Sequence, residues 1–238
     1  MSNSIIIEHL SKSYGHIAAV DDLSLEIPRG TSLVLLGRNG SGKTTLLSAL
    51  TGFLYPDTGR ISIFGLDPYR DAAKVRLTTA FISAANALPT GFSPREIGSV
   101  IKDFFPKYDE KLAETTMKLF RFDPDRPIGK QSFGQIRLIN LWAALIRRPE
   151  LLILAEPMLG LDVVVRRDFT ECVINLLEQN DCTLILSSHL INEVENLVEQ
   201  VAIIDAGKLI LQGSTETLRT NTGTSLEDIF ISAVEARP

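Results

Sequence analysis

Apolar residues fall into two rhythms along this chain. Short unbroken runs at Ser32–Leu36, Leu151–Leu154, Thr183–Ser187 and Thr79–Ile82 have the length and lack of alternation of strands buried on both faces. Between them, Thr44–Thr51, Ser132–Arg148, Val163–Gln179 and His189–Glu199 carry apolar residues at three- and four-residue intervals. That spacing predicts helices, and Pro149 stops the second of them. Strand and helix in alternation predict an α/β fold around a mainly parallel sheet.

Two regions break the rhythm. Ile5–His9, Leu23–Ile27, Ile61–Phe64 and the pair Val201–Ile204 and Lys208–Leu211, turning at Ala206-Gly207, read as antiparallel strands and hairpins. From about Pro94 to Gly129 the pattern is mostly helical, punctuated by Pro106, Pro124 and Pro127. The expectation is one domain over 1–238 with an antiparallel β subdomain and a helical insertion at about 85–148. The tail Ser225–Val234 reads as a final amphipathic helix, and no internal repeat is visible.

Composition narrows the classes. A chain of 238 residues buries a sizeable core without disulfides, and Cys172 and Cys182 lack the spacing of a redox or metal motif. The start, Met1 to Ile7, has no basic segment followed by a long apolar stretch, so no secretory signal is expected. Apolar runs such as Leu151–Ala155 fall far short of the roughly twenty residues that span a bilayer, so a membrane role requires a partner. The net charge of −5, with no Lys/Arg cluster interleaved with aromatics, argues against nucleic acid as a partner.

The segment Gly37-Arg38-Asn39-Gly40-Ser41-Gly42-Lys43-Thr44 fits G-x-x-x-x-G-K-[ST], directly after a strand pattern and directly before a helical one. Backbone N–H groups must converge on phosphate oxygens there, through conformations that a Cβ obstructs. Lys43 supplies a point charge for the β- and γ-phosphates, Thr44 a hydroxyl ligand for Mg²⁺, and the helix start a positive end. Taken alone, such a loop leaves kinases, GTPases and many ATPases open.

The remaining landmarks resemble the nucleotide-binding domain of ABC transporters. They are Tyr14, Ser132-Phe133-Gly134-Gln135 opening a long helix, Leu151–Pro157, Gly160-Leu161-Asp162, Ser187-Ser188-His189 and the Ile203–Lys208 hairpin. The resemblance implies a P-loop NTPase core with antiparallel β and helical subdomains, ATP and Mg²⁺ as ligands, and nucleotide-driven dimerisation. It implies that Tyr14 stacks on adenine and that Gly37, Asn39, Gly40, Ser41, Gly42, Lys43, Thr44 and Thr45 hold the phosphates. Ser132, Gly134 and Gln135 would serve a nucleotide held by the opposite protomer, and Asp162 would lie near the dimer seam. Glu156 would polarise the attacking water and His189 would contact the γ-phosphate. The residues alone also allow Tyr14 as a strand-end core residue and Ser132 as a plain helix cap. Phe104–Glu110 and Gly160–Arg167 further resemble short bacterial drug- and antibiotic-type exporter ATPases, whose membrane subunits are separate chains. A transmembrane permease is therefore the implied partner, with the chain cytoplasmic at the inner face of the membrane.

Three departures stand out. The acidic motif reads Leu154-Ala155-Glu156-Pro157, without the aspartate that supports Mg²⁺. The glutamine that usually follows the strand before the helical insertion falls at Ala84, with Ser83 and Asn86 as neighbours able to substitute. Gln131 and Phe133 replace the usual leucine and first glycine of the signature. Together they predict slow hydrolysis at this chain's own cradle and favour a second, different ATPase subunit over a homodimer. The alternative is a catalytically weak ATP-binding regulatory module. A soluble ABC protein acting on ribosomes or DNA fits the acidic charge and single cassette poorly.

Overall fold

The computed structural model describes residues 4–83, 88–179, 182–189 and 191–236. Its strands are β1 Ser4–Tyr14, β2 Ile17–Pro28, β3 Ser32–Leu36, β4 Thr58–Ile63, β5 Thr79–Ile82, β6 Leu151–Ala155, β7 Thr183–Ser188, β8 Gln200–Asp205 and β9 Lys208–Ser214. Its helices are α1 Lys43–Leu50, α2 Ala72–Thr78, α3 Pro94–Phe104, α4 Glu110–Phe120, α5 Phe133–Leu145, α6 Val163–Gln179, α7 Ile191–Val194, α8 Thr215–Thr222 and α9 Leu226–Glu235. The chain divides into two compact units, Met1–Arg76 with Thr183–Pro238, and Leu77–Cys182.

In the first unit β3 lies in parallel between β7 and β8, and β9 closes onto β8 as an antiparallel hairpin. Every residue of β3 and β7 is buried, which is why neither alternates in polarity. A second, antiparallel sheet has the order β2-β1-β4. Its alternation changes phase. Ile5 and Ile7 are buried, then Leu10, because His9 takes φ 49° at a register shift between Ile7 and Leu10. An extra residue at a bulge moves every following side chain to the other face. Asp22 at φ 51° does the same in β2, where Val20 and then Leu23, Leu25 and Ile27 are buried. The sequence reading therefore stopped at His9, whereas β1 runs on to Tyr14 and turns at Gly15-His16 into β2.

In the second unit β5 pairs in parallel with β6, Thr79 opposite Leu151. Helix α5 is its core, with every residue from Arg137 to Leu145 buried. Trp142 donates from Nε1 to the Ala113 carbonyl of α4 at 3.0 Å and meets Phe122 edge-on at 5.6 Å. Helix α3 approaches so closely that a Cβ on Gly98 would lie 3.1 Å from the Trp142 ring. The helical character read over 94–129 is thus α3, α4 and a 3-10 turn at Ile128–Lys130. This unit also holds β5, β6 and α6.

One helix is shorter than its pattern. His189–Glu199 predicts a continuous helix, but α7 covers only Ile191–Val194 and passes into a 3-10 turn at Glu195–Leu197. Glu199 N–H is captured by both the carbonyl and the hydroxyl of Ser32, at 3.0 and 3.1 Å, and this draws the chain into the sheet as β8. Among the described residues no helix is long and apolar enough to cross a membrane.

Candidate functional site

The cradle lies where β3 ends. Leu36 is buried, Gly37 follows it, and the chain loops through exposed Arg38, Asn39 and Gly40 before α1 begins at Lys43. Glycine is required at two of these turns. Gly40 has φ 81°, and Gly42, the residue capping α1, has φ 107° with the Ala19 carbonyl 2.2 Å from where its Cβ would stand. A Cβ on Gly37 would likewise fall 2.3 Å from the Ile204 carbonyl. The cradle is fixed from below by the β8–β9 turn, since Gly207 N–H donates to Ser41 O at 3.0 Å and Gly207 O accepts from Asp21 N–H at 2.9 Å.

The charge in the loop is held ready. Lys43 is buried, and its Nζ donates to the Gly37 and Arg38 carbonyls at 2.6 and 3.1 Å. Ser41 Oγ is buried without a hydrogen-bond partner among the described residues. No side chain caps α1, so its first N–H groups point out of the helix with no side-chain acceptor. A buried ammonium, an orphaned hydroxyl and uncapped N–H donors around a glycine turn form an anion cradle with the donor chemistry that phosphate oxygens require. Thr44 is exposed on the first turn, and Thr45 is half-buried beside it. The Thr44 hydroxyl is an oxygen donor suited to Mg²⁺, a hard cation that keeps most of its water.

His189 belongs to the same unit. Ser188 is the register partner of Leu36, so β3 and β7 end side by side. Neighbouring strands lie about 4.8 Å apart, so Gly37 and His189 leave the sheet as neighbours. His189 is exposed at that edge. Tyr14, at the tip of β1, is 53% exposed, which rules out the core alternative and presents its ring to solvent.

In the second unit β6 ends in Ala155, 7% exposed, and the chain turns sharply at Glu156. Glu156 has φ 50°, a left-handed conformation that costs a non-glycine residue about 1–3 kcal/mol. This turn carries the chain out of β6 at the C-terminal end of a parallel strand, where open α/β sheets bind their ligands. The Ala155 side chain supplies no oxygen there. Ala84 and Asn86 lie outside the described residues, and the Ser83 carbonyl accepts from Arg137 Nη1 at 2.9 Å.

The signature is built as a helix start. Ser132 caps α5 in a reciprocal box: its Oγ accepts from Gln135 N–H at 3.2 Å, and Gln135 Oε1 accepts from Ser132 N–H at 3.0 Å. The Ser132 proton remains available to an outside acceptor, because the box uses its oxygen only as acceptor. Cap and phosphate donor are thus compatible roles for one hydroxyl. Gln135 orients Ser132 through the box.

The two altered signature positions have structural work. Gln131 is buried, and its Nε2 donates to the Asp123 and Arg126 carbonyls at 2.8 and 3.1 Å, closing the loop before α5. Phe133 covers Gly160, whose added Cβ would lie 3.1 Å from the ring. Asp162 caps α6, its Oδ1 accepting from Val164 and Val165 N–H at 2.9 and 3.0 Å. Sequence reasoning gave no part to Arg137 or to the Gly207 contact under the cradle. Both join segments far apart in the chain, and only a buried cation at a helical core position hinted at the first.

A triphosphate cradle at the C-terminal end of a parallel strand, with a histidine beside it, defines a P-loop nucleotide-binding protein of the α/β class. The ABC transporter family model matches residues 20–159. The chain is 32% identical to the daunorubicin resistance ATP-binding protein DrrA3 of Streptomyces coeruleorubidus, over 96% of this chain and 73% of that one. It is 29% identical to the bacitracin transport ATP-binding protein BcrA of Bacillus licheniformis, over 95% of this chain and 75% of that one. A solved ATP-binding subunit of an ABC transporter superimposes with a TM-score of 0.88 at 22% identity, covering 97% of this chain and 99% of that one. The protein belongs to the ABC transporter ATP-binding family. It is a transport ATPase subunit by descent, from a family whose members bind ATP, dimerise and pair with transmembrane permease components.

Proposed function

We propose that this chain is an ATP-binding subunit of a bacterial exporter, pairs with a second and different ATPase subunit, and hydrolyses slowly at its own cradle. The observation that carries this is the contrast between a complete phosphate cradle and the methyl group of Ala155 at the end of β6. Lys43, Ser41 and the first N–H groups of α1 bind the triphosphate, and Tyr14 stacks on adenine. Thr44 would hold Mg²⁺ through its hydroxyl, and the metal would neutralise part of the phosphate charge. Glu156 orients and polarises the attacking water, and His189 donates to the γ-phosphate as charge develops on it. Ser132 and Gly134 serve the nucleotide of the partner subunit, and Asp162 sets the turn beside them. Both relatives named above act in drug resistance or antibiotic transport, which supports an exporter with the chain held against the inner membrane face by its permease.

Loss of one outer-shell metal partner typically costs about 10- to 100-fold in metal affinity or activity, and that sets the size of the effect. Closure and reopening of the ATPase pair drives the permease through contacts that differ between the two states. The experiment is nucleotide binding and turnover by the purified chain beside Lys43→Ala. Tight ATP binding that Lys43→Ala abolishes, with turnover near background, agrees with the proposal. Brisk turnover by the chain alone removes the case for a different partner. Failure to bind ATP removes the whole reading. The same alanine favours a second reading, a regulatory module that holds ATP without turnover, and it is distinguished by whether an added partner ATPase restores hydrolysis.

A further inference from the structure

The signature turn of this chain contains an arrangement that its usual glycine cannot form. Phe133 is 55% exposed, yet one edge of its ring rests on Gly160, where a Cβ would stand 3.1 Å away. The Arg137 guanidinium lies 5.2 Å from the centre of the same ring, and Arg137 itself is 5% exposed. Its Nη1 donates to the carbonyl of Ser83 at 2.9 Å, and its Nε has no hydrogen-bond partner among the described residues. Among the described residues the buried cation thus meets one carbonyl and one aromatic face, both of which offset part of its desolvation. Gly160 has φ 75°, so the ring sits over a turn that only glycine forms without strain.

We propose that Phe133 and Arg137 are positioning residues that join three segments of the second unit into one body: the exit of β5 at Ser83, the signature turn, and the Gly160-Leu161-Asp162 turn. Ser83 immediately precedes Ala84, where the coupling glutamine of the family is missing. The aromatic–cation pair ties that exit directly to the signature, so a displacement at Ser83 is passed to Ser132 and to the cap of α6. The inference rests on the reading of Ser132 and Gly134 as donors to a partner's nucleotide only for its functional consequence. The mechanical joint stands on the geometry alone.

The test is amide hydrogen exchange on the full chain, read over residues 158–166, in wild type, Phe133→Leu, Phe133→Tyr, Arg137→Met and the Phe133→Leu/Arg137→Met double variant. Arg137→Met is expected to quicken exchange there by about 3- to 10-fold, the range a partly desolvated cation–π contact supplies. Phe133→Leu is expected to do the same, the double variant to add nothing further, and Phe133→Tyr to keep the wild-type rate. Phe133 is exposed enough for Phe133→Leu to fold even if Arg137→Met does not. Unchanged exchange in Phe133→Leu, or additive effects in the double variant, overturns the joint.

Discussion

At the scale of single residues, replacement of a family position need not be decay. Gln131 departs from the usual leucine, but its amide satisfies two carbonyls of the preceding loop, at 2.8 and 3.1 Å. Gln131→Leu restores the family residue and leaves both carbonyls without that donor. A hydrogen bond contributes about 0.5–1.5 kcal/mol net, so the variant is expected to unfold at slightly lower urea than wild type. Equal midpoints would show that water replaces the amide. Ala155 has no such compensation: it is a buried methyl at the end of β6. Glu156, next to it, keeps both its carboxylate and its strained left-handed backbone.

At the scale of elements, much was legible and the exceptions have physical causes. The buried strands β3, β6 and β7 and the helices α1, α5 and α6 follow from unbroken or helical apolar spacing. The length of β1 was hidden because His9 and Asp22 shift the phase of burial without a glycine to mark the bulges. The helix after His189 was overread because Ser32, far away in sequence, claims Glu199. Helix α4 carries a pH prediction. Asp109 caps it through Leu112 N–H at 2.8 Å and accepts from Arg148 Nη2 at 2.7 Å, tying the start of α4 to the residues after α5. The Leu112 N–H, and then the Arg148 guanidinium, hold the Asp109 carboxyl below the usual carboxylate range. A depressed folded value means that the stability is present above the unfolded value of about 3.9 and is lost as pH falls through the folded one. Asp109→Asn should therefore flatten the decline of stability below about pH 4, measured by urea melts at stepped pH. An unchanged slope would assign the decline to other carboxylates.

At the scale of the whole molecule, the glycine turn between β3 and α1 was legible as a local motif, but the division into two units was not. The second unit begins inside a helical stretch and ends in a loop, without a glycine- or proline-rich linker. This unit contains the chain's single tryptophan, Trp142, and both cysteines. Burial pushes the Cys172 and Cys182 thiols up to about 12, so they stay protonated and unreactive while the unit is folded. Labelling by N-ethylmaleimide should begin at the same urea concentration at which Trp142 fluorescence changes, the mark of one cooperative transition. Labelling at lower urea would mean that α6 or the residues before β7 open separately. The central claim, that this molecule binds ATP fully but turns it over poorly for want of one carboxylate, is tested most directly by Mg²⁺-dependent ATP hydrolysis of the purified chain beside Ala155→Asp. The account predicts background turnover in the native chain and a rise of about 10- to 100-fold in the variant, with ATP affinity in the absence of metal unchanged. Rapid hydrolysis by the native chain, with no gain in the variant, would contradict it.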